Sequence, residues 1–437
     1  MILRIPESLW SPFRDVCPLE HGVETAGVLL ARPLRSANRD VAVVERATLV
    51  PESAYTIRRS DQLQLDAVAL NRLIRPARDL GLEVFTVHTH GPSIPGFSWA
   101  DDRGDERLMP SLHKQIEAPV HGSLVLVPDG SVSARAFGAD GRVRAVSVRV
   151  VGRSIAMPSV EQVQPDACFD RQRLALGQQG QERLRRVRVG VVGLGGTGSV
   201  TAAQLLHLGV GGLVLLDGDV VESSNVSRVL GARREDAGVR TKVEVAARYA
   251  RDLGLATKVE AHDVMLTSDE DLAALRGCDV VMSCVDRHLP RALLNRLSYE
   301  AAIPVIDMGS AFRVEAGKLT AGAGRVVVVG PGRPCLACWG HIDPDAIRNE
   351  TLPDDVREAL EGEGYVQGAR VPEPSVIPFN VQVAGAAVAQ LLRIVAGFAN
   401  ADGPDRLAFD FIEGTVRRNS LAGTQSCGIC GRKASGR

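Results

Sequence analysis

The run GLGGTGS at residues 193–199 decides the fold of the larger part of this 437-residue chain. It follows residues 187–192, a short β-branched stretch typical of a buried parallel strand. It precedes residues 200–208, whose apolar side chains have helical spacing. Glycines let a backbone approach a phosphate closely, and the N–H groups that open a helix favour an anion. The run therefore predicts a strand, a glycine turn and a helix that bind a nucleotide.

A polar series after this run narrows the choice of nucleotide. The glycine pattern alone fits NAD, FAD or ATP binding, and tight strand-to-helix packing without a ligand is the simpler alternative. A dinucleotide has no triphosphate and does not need a cluster of cations to bind one. Such a cluster therefore favours ATP. The series consists of Asp217 and Asp219 after a predicted strand, then Asn225, Arg228 and Lys242.

Asp286 adds a carboxylate to the same predicted edge of the sheet. It follows residues 280–284, which form another short apolar strand. The carboxyl ends of parallel strands meet at one edge, and Mg²⁺ prefers oxygen ligands. We therefore expect a magnesium ion at Asp286, beside the triphosphate.

These residues, with Arg171-Gln172 upstream and Cys284-x-Asp286 downstream, resemble the ThiF/MoeB superfamily. Its members are adenylating proteins related to ubiquitin-activating enzymes, and the similarity runs from about residue 169 to the C-terminus. It implies an enzyme that uses ATP and Mg²⁺ to adenylate the C-terminal glycine of a small ubiquitin-like or sulfur-carrier protein. It also implies a homodimer, because in that family the arginine matching Arg171 reaches into the partner's site.

The same resemblance assigns roles to individual residues. Asp217 is expected to bind the ribose, Asp286 the magnesium ion, and the amide and cations of the series the phosphates. The implied nucleotide-binding set is Gly193, Gly195, Gly196, Gly198, Asp217, Asp219, Asn225, Arg228 and Lys242. The implied catalytic set is Arg171, Arg228, Lys242 and Asp286.

Composition and charge limit the classes of partner. A formal net charge of −1, from 51 Lys+Arg and 52 Asp+Glu, gives no sequence-wide reason to expect nucleic acid or an anionic membrane. The first residues contain no charged segment followed by an apolar one, so no secretory signal is predicted. Two uncharged runs, 189–216 and 374–392, are interrupted by glycines or by proline and amides, which favours buried core elements over membrane spans. We therefore expect a cytoplasmic protein.

Four of the eight cysteines form two Cys-x-x-Cys pairs, Cys335/Cys338 and Cys427/Cys430. Two such knuckles supply four thiolates for a structural, tetrahedral zinc ion. The pairs lie far apart in sequence, but ThiF-like proteins often have this arrangement. Two reduced pairs without metal are the alternative. The other cysteines, which are expected to pack as small apolar residues, are Cys17, Cys168, Cys278 and Cys284.

The N-terminal residues 1–151 predict an α+β domain, with a helix at 63–80 and a strand at 82–87 that ends at His88. His88 and His90 point to the same side of the strand end, because side chains alternate with a period of two. Two imidazoles then share one metal, and Asp101 supplies a third ligand from the start of the next helix, which leaves a fourth position for water. A polar strand end without metal is the alternative for a lone His-x-His.

With Glu24 and Ser98, these residues resemble the JAB/JAMM (Mov34/MPN) metalloprotease family. The pattern is a glutamate that opens the phrase ETAGVL at residues 24–29, then His-x-His, then a serine and an aspartate at the distances seen here. The roles it implies are zinc ligands for His88, His90 and Asp101, general base for Glu24, and stabilisation of the tetrahedral intermediate for Ser98.

Two positions near this motif need comment. Gly91 stands where the family usually has proline, with Pro92 one place later, and this departure concerns rate and substrate fit more than metal binding. Asp102 is a possible competitor for the role of Asp101, although the spacing favours Asp101.

Residues 152–167, with prolines and polar residues, predict an exposed linker, and residues 168–437 form the second domain. There β and α segments alternate, including predicted helices at 242–253 and 269–275, as in a doubly wound parallel sheet. The predicted fold class is α/β: an N-terminal α+β domain of the JAB/MPN type followed by a mostly parallel, Rossmann-like ThiF adenylation domain. The acidic, irregular stretch 339–374 predicts a mobile crossover loop over the substrate's tail.

The leading hypothesis is a bifunctional enzyme whose two domains act on the same C-terminal tail. No cysteine lies between Cys338 and Cys427, where many relatives have one that accepts the activated protein. The adenylate is therefore expected to pass to a sulfur donor, a conjugating protein or another nucleophile. One alternative is an NAD-dependent oxidoreductase, disfavoured by Arg228, Lys242 and Asp286. Another is a non-catalytic scaffold, disfavoured by the complete ligand sets.

Overall fold

A computed structural model describes residues 1–17, 22–37, 39–60, 62–91, 96–158, 166–353, 356, 374–398, 403–421 and 426–431. The chain divides into two compact units, Met1–Gln162 and Val163–Ser435. The predicted linker at 152–167 begins inside the sheet of the first unit, because Ile155–Ala156 pairs with the preceding strand and Ile155 is buried. Its residues 159–165 lie outside the described residues.

The first unit is built on a mixed sheet of nine strands, with a separate two-stranded ribbon. Its strands are β1 (Ile2–Pro6), β2 (Ala26–Leu34), β3 (Val41–Leu49), β4 (Tyr55–Arg58), β5 (Leu63–Leu65), β6 (Glu83–Thr89), β7 (Val120–Leu126), β8 (Val132–Gly138), β9 (Val143–Ala145), β10 (Ser147–Val151) and β11 (Ile155–Ala156). Its helices are α1 (Glu7–Asp15), α2 (Ala67–Leu80) and α3 (Trp99–Gln115). The sheet has the order β11-β10-β1-β3-β2-β6-β7-β8-β9, and β4 and β5 form the ribbon.

Helices cover both faces of this sheet. Successive side chains of a strand point to opposite faces, and β2 shows the consequence. Leu29 packs in one apolar cluster with Trp10 and Phe13 of α1, whereas Val28 packs in another with Ile74 of α2. Burial of apolar surface, worth about 25 cal/mol per Å², thus holds β2 and its neighbour β6 between helices on either side. This packing fixes the end of β6, which carries His88 and is followed directly by His90.

The predicted helix at residues 63–80 is wrong at its beginning. Leu63–Leu65 pairs with β4 as β5 of the ribbon, and α2 begins only at Ala67. Asp66 sets this boundary, because its carboxylate accepts a hydrogen bond from the N–H of Ala69 and caps the helix. Two leucines separated by one residue fit a strand, and over so short a stretch periodicity does not separate strand from helix.

The described part of the second unit contains one sheet of eight strands. Its strands are β12 (Arg188–Val192), β13 (Gly212–Leu216), β14 (Lys258–His262), β15 (Val280–Ser283), β16 (Val305–Glu315), β17 (Lys318–Val329), β18 (Arg406–Asp410) and β19 (Thr415–Asn419). The helices among its described residues are α4 (Asp170–Arg186), α5 (Gly196–Leu208), α6 (Lys242–Leu253), α7 (His288–Glu300), α8 (Pro344–Glu350) and α9 (Ile377–Val395).

The strand order locates the ligand-binding edge of this sheet. From β14 to β16 the strands are parallel, in the order β14-β13-β12-β15-β16, and β17 to β19 add an antiparallel extension. The chain therefore winds in opposite directions from β12, towards β13 on one side and β15 on the other. Ligands of open α/β sheets bind outside the carboxyl ends of the strands at such a reversal. The predicted doubly wound, mostly parallel fold is confirmed.

Some predicted boundaries in the second unit are corrected. The predicted helix at 269–275 is only a short 3₁₀ turn, Asp271–Ala274, because the carboxylate of Asp271 bonds the N–H groups of Thr267 and Ser268 ahead of it. Helix α4, which the sequence did not predict, opens the unit. The expected crossover loop contains α8, but its residues 354–355 and 357–373 lie outside the described residues.

Helix α9 is long and apolar enough to cross a membrane by length and composition. It packs against α5 and strands β16 and β17, with Val383, Ala387 and Leu391 buried. It is therefore a core helix of the unit, as the sequence predicted for the apolar run at 374–392.

Glu83, a buried residue at the start of β6, should make the stability of the first unit depend on pH. Burial, with a smaller contribution from Asp40, raises the pKa of Glu83 from 4.5 to about 8. The folded state thus keeps a proton that the unfolded chain loses above about pH 4.5, and stability falls as the pH rises from 4.5 towards 8. Glu83→Gln lacks this loss and should gain up to a few kcal/mol relative to wild type at pH 8, but little at pH 4.5. Urea unfolding at both pH values measures the difference.

The exposed Glu117→Gln on the surface of the same unit controls for the loss of one carboxylate. A stability difference between Glu83→Gln and wild type that does not grow with pH would contradict this explanation.

Two candidate active sites

The glycine turn between β12 and α5 is closed by contacts that leave no room for side chains. Gly193 has a φ of +83°, and a Cβ there would lie 2.7 Å from the carbonyl oxygen of Cys284. A Cβ on Gly198 would lie 1.8 Å from the Gly193 oxygen, and one on Gly196 would lie 2.4 Å from Nδ2 of Asn380. Tight packing therefore accounts for three of the glycines.

Gly195 differs from these three. No atom of the described residues lies within 4 Å of the position that a Cβ would take. Gly195 is the residue before the first turn of α5, where free N–H groups and the helix dipole favour an anion. The open side of the turn is thus the side from which a phosphate can approach.

Asp217 follows β13 and holds the turn from the neighbouring strand. One carboxylate oxygen accepts the N–H of Leu194 at 2.6 Å, and the other accepts the N–H of Asp219 at 2.9 Å. The pKa of Asp217 is raised, because the effect of burial exceeds the opposing effect of the nearby Lys242 cation. The Nζ of Lys242 lies 2.7 Å from Oδ2 of Asp219 and 3.9 Å from Oδ1 of Asp217. The lysine and both aspartates predicted from sequence therefore meet at the carboxyl edge of the sheet.

Arg228 and Asn225 lie in the loop between β13 and α6 and differ in their contacts. The buried Asn225 is engaged locally: its Oδ1 accepts the N–H of Glu222 and its Nδ2 donates to Oγ of Ser224. The half-buried guanidinium of Arg228 has no hydrogen bond or ion pair with the described residues. Arg228 is thus a cation available to a ligand, whereas the amide of Asn225 serves the turn that carries it.

The rest of this loop is fixed by a buried ion pair that the sequence did not reveal. Asp236 is fully buried and accepts two hydrogen bonds from Arg248 of α6, each of 2.7 Å. Those bonds lower the pKa of Asp236 to about 2. Arg248 also bonds the carbonyl of Gly231. Because α6 begins at Lys242, this pairing fixes the loop relative to the lysine.

Asp286 follows β15, next to the glycine turn. Its side chain is exposed and has no polar partner among the described residues. The backbone just before it is held by Arg291, whose Nη2 donates to the carbonyl of Val285 at 2.9 Å and whose Nε lies 3.2 Å from the fully buried Asp307. Asp307 also accepts hydrogen bonds from Arg325. The exposed carboxylate of Asp286 therefore follows a backbone segment that is held in place by the paired charges of Arg291 and Asp307.

Arg171 lies in the first turn of α4 and is exposed. It has no polar partner among the described residues of its own unit, whereas the side chain of its neighbour Gln172 donates to the carbonyl of His207. The structure thus places Arg171 on the surface, and its predicted role in a partner's site stays a prediction.

In the first unit, His88, His90 and Asp101 bring three ligand atoms within 4.8 Å of one another. The two histidine Nε2 atoms are 3.0 Å apart, as expected for side chains on the same side of a strand end. Nε2 of His88 lies 2.9 Å from Oδ1 of Asp101, and Nε2 of His90 lies 3.4 Å from Oδ2. Burial opposes ionisation of Asp101, but the two histidines outweigh it and lower its pKa. Three donors facing one point fit a metal that keeps an open position.

Glu24 is buried, with Oε1 3.9 Å from Nε2 of His90. Its backbone is fixed by the ribbon: its N–H donates to the carbonyl of Arg59, and its carbonyl accepts a hydrogen bond from Nε of Arg58. Arg58 also donates to Oγ1 of Thr25. No motif in the sequence indicates this contact, because the ribbon is more than thirty residues away in the chain.

Ser98 caps helix α3 and serves Asp101 directly. Its backbone N–H and its hydroxyl donate to Oδ2 of Asp101 at 2.6 and 2.7 Å, and its Oγ accepts the N–H of Asp101. The competing residue Asp102 instead binds Arg135 of β8 at 2.5 Å. The structure thus brings Asp101 to the histidines, as the spacing predicted. Gly91 is described, but Pro92 lies outside the described residues.

The four knuckle cysteines of the second unit also meet. The Sγ atoms of Cys335 and Cys338 are 3.7 Å apart, and those of Cys335 and Cys427, and of Cys338 and Cys430, are each 3.6 Å apart. Four thiolates about 2.3 Å from a tetrahedral zinc lie roughly 3.8 Å from each other. The spacing therefore fits a closed tetrathiolate metal site.

Comparisons with known proteins agree with both halves of this picture. The family described as "ThiF family" matches residues 169–429, and "Prokaryotic homologs of the JAB domain" matches residues 6–139. The "SAMP-activating enzyme E1" of Haloferax volcanii is 31% identical over 257 residues, which are 59% of this chain and 84% of that protein. The mouse "Adenylyltransferase and sulfurtransferase MOCS3" is 34% identical over 260 residues, 59% of this chain and 50% of that protein.

The chain thus spans about half the length of the MOCS3 relatives it matches. Among solved structures, that of E. coli MccB with MccA-N7isoASN matches with a TM-score of 0.50 and 17% identity, over 62% of this chain and 76% of that one, which shows the fold alone. The match from residue 169 to 429 covers more than half of the chain. The chain belongs to the ThiF family, and a domain of the prokaryotic JAB type precedes its ThiF part.

Proposed function

We propose that the second unit uses ATP and Mg²⁺ to adenylate the C-terminal glycine of a small ubiquitin-like or sulfur-carrier protein. One observation carries the proposal: Gly195 follows β12, Asp286 follows β15, and Lys242 lies beside Asp217 after β13, so all three belong to the carboxyl ends of neighbouring strands where the strand order reverses. The names of the relatives support it, since one is an adenylyltransferase and another activates a protein called SAMP. Membership of the ThiF family argues against an NAD-dependent oxidoreductase.

The proposed roles follow from charge and position. Lys242 and Arg228 neutralise the phosphates, and the N–H groups that begin α5 bind them from the side of Gly195. Asp286 holds the magnesium ion, and Asp217, already tied to the turn, meets the ribose. These cations are in place before the reaction begins. The C-terminal carboxylate of the partner protein's glycine then attacks the α-phosphorus of ATP, and pyrophosphate leaves.

The fate of the adenylate is limited by the thiols available. Cys284 lies beside the glycine turn, but burial raises its pKa to about 12, so it is a poor nucleophile. Cys284 is therefore not the proposed acceptor, and the product passes to a sulfur donor, a conjugating protein or another nucleophile. The exposed Arg171 completes the site of a second copy, which makes the active form a homodimer. We place the protein in the cytoplasm.

Loss of the magnesium ligand should abolish adenylation. Asp286→Ala is expected to lower the exchange of labelled pyrophosphate into ATP by about 100-fold or more, because metal stabilisation of the transferred group is worth several kcal/mol. The assay contains Mg-ATP and a partner that ends in glycine. Asp252→Ala, at the opposite end of α6 from Lys242, is the matched control and should keep full exchange. Exchange that persists in Asp286→Ala would remove Asp286 from the metal site.

Two glycine variants separate loop packing from ligand contact. Gly198→Ala places a methyl group against the Gly193 oxygen, so it should lower the melting temperature and abolish ATP binding. Gly195→Ala meets none of the described residues and has an ordinary φ of −67°, so it should keep the melting temperature. It should weaken ATP about 10-fold, or about 1.4 kcal/mol, because the methyl group occupies the approach of the phosphate. Calorimetric titration with ATP that shows unchanged affinity for Gly195→Ala would place the nucleotide elsewhere.

We propose further that the first unit is a zinc peptidase that trims or releases the same partner protein. His88, His90 and Asp101 hold the zinc ion, which when bound supplies a Lewis acid for peptide hydrolysis. Glu24 takes the proton of the attacking water and delivers it to the leaving amine. Ser98 orients Asp101 through the hydrogen bonds described above. The four knuckle cysteines hold a second, structural zinc.

Removing the general base should separate metal binding from cleavage. Glu24→Ala is expected to keep both zinc ions but to lose about 10²- to 10⁴-fold in cleavage of a partner extended beyond its terminal glycine. His90→Ala should lose one zinc ion per chain, and both variants should still adenylate the mature partner. Zinc content by elemental analysis and cleavage by mass spectrometry give the two readouts.

A wild-type protein that binds both zinc ions but cleaves no extended or conjugated form of a partner it adenylates would contradict the peptidase. The first unit would then be a docking module.

A further inference from the structure

The strongest unassigned cluster of charges lies behind the metal-ligating end of α3. Arg135 projects from β8 and contacts residues on both sides of the segment from Ser98 to Asp101. Its guanidinium carbon lies 3.9 Å from the ring centre of Phe97, directly before Ser98. Its Nη1 donates to Asp102, directly after Asp101, at 2.5 Å. One side chain thus holds the chain on either side of the proposed ligand.

Asp105 completes this cluster one helical turn further on. Nε of Arg135 donates to Oδ2 of Asp105 at 2.9 Å, and Oγ of Ser123 on β7 donates to the same oxygen at 2.5 Å. The side chains of Asp105 and Arg135 are only 9% and 17% exposed, so solvent screens the pair little. Residues four apart lie on the same helix face, so the face of α3 that carries Asp101 is the face tied to the sheet.

The histidines belong to the same rigid body as Arg135. β6 pairs with β7, where His88 lies opposite Val125, and β7 pairs with β8, where Ser123 lies opposite Arg135. The sheet therefore fixes Arg135 relative to both histidines, and Arg135 fixes the first turn of α3 relative to the sheet. The Asp101 carboxylate belongs to this first turn and lies 2.9 Å from Nε2 of His88 and 3.4 Å from Nε2 of His90.

We propose that Arg135 is a positioning residue for the metal site, acting through Asp102, Asp105 and the ring of Phe97 to set the place of Asp101. This inference rests on the zinc site of the proposed function. Residues that orient metal ligands typically alter metal affinity by about 10- to 100-fold when they are replaced. An ion pair that served only stability would lower the unfolding temperature and leave metal affinity and ligand geometry unchanged.

Zinc affinity and cobalt spectra of the full-length chain test the proposal. His90→Ala identifies which zinc ion belongs to this site. In competition with a chelator, Arg135→Gln should bind that zinc ion about 10- to 100-fold more weakly than wild type does. After replacement of that zinc by Co²⁺, its visible absorption spectrum should shift, which reports altered ligand geometry. Arg135→Lys keeps a cation but cannot contact Asp102, Asp105 and Phe97 together, so it should lie between wild type and Arg135→Gln.

Arg142→Gln is the matched control. It removes an arginine that follows the same strand, whose side chain is 83% exposed and forms its one ion pair among the described residues with the nearby Asp140. It should keep wild-type zinc affinity and cobalt spectrum. If Arg135→Gln does not fold, the Lys variant decides: unchanged affinity and spectrum overturn the proposal, and an intermediate loss supports it.

Two outcomes separate this inference from the proposed function. Wild-type zinc affinity and an unchanged cobalt spectrum in a folded Arg135→Gln overturn the inference alone. If His90→Ala contains as much zinc as wild type, both the metal site and this inference are overturned.

Discussion

The second unit depends on a single close approach within its glycine turn. The oxygen of Gly193 lies so near the backbone of Gly198 that a Cβ there would be 1.8 Å away, and the same turn is pressed against the end of β15 at Cys284. This packing fixes the beginning of α5 relative to β12 and β15 at once. Asp217 then bonds the turn from β13. The three strand ends around the proposed nucleotide site are therefore set by backbone packing and by the Asp217 carboxylate, and Gly195 is the glycine of the turn that leaves room for a ligand.

In each unit an arginine–aspartate pair supports a carboxylate of the candidate site, and the pair is buried in the second unit and partly buried in the first. In the second unit Arg291 links Asp307 to the backbone before Asp286, and in the first unit Arg135 links Asp105 to the chain around Asp101. A buried charge is costly unless it is paired, and breaking such a pair typically costs about 3–5 kcal/mol. Because breaking the ion pair would cost this much free energy, the pair stays formed and holds the neighbouring backbone in one position. In this way the pairs would supply the preorganisation that the proposed acid–base and metal chemistry requires.

The sequence predicted what local pattern can encode. The glycine turn, the period-two placement of His88 and His90, and the parallel strands were correct because each depends on residues within one or two elements. The pairs Arg58–Glu24, Arg291–Val285 and Arg135–Asp105 were not predicted. Their partners lie in different elements, and an isolated arginine in a strand or helix has no periodic signal that distinguishes it from a surface charge. The error at residues 63–66 has a different cause, since a capping aspartate overrode an apolar spacing that fits both helix and strand.

The two candidate metal sites differ in what they leave open, and this difference separates their roles. The cysteine site offers four sulfur donors at the spacing of a tetrahedron, so a bound metal has no position for a reactant and contributes only to folding. The other site offers three donors, and the carboxylate of Glu24 stands beside them, 3.9 Å from His90. Glu24 is held there by its own backbone contacts with the ribbon, and Asp101 by the cap of α3. Because the proposed base and the proposed ligand are fixed by separate elements, a variant of one is expected to leave the other in place, which would separate the proposed chemistry of this site from its metal binding.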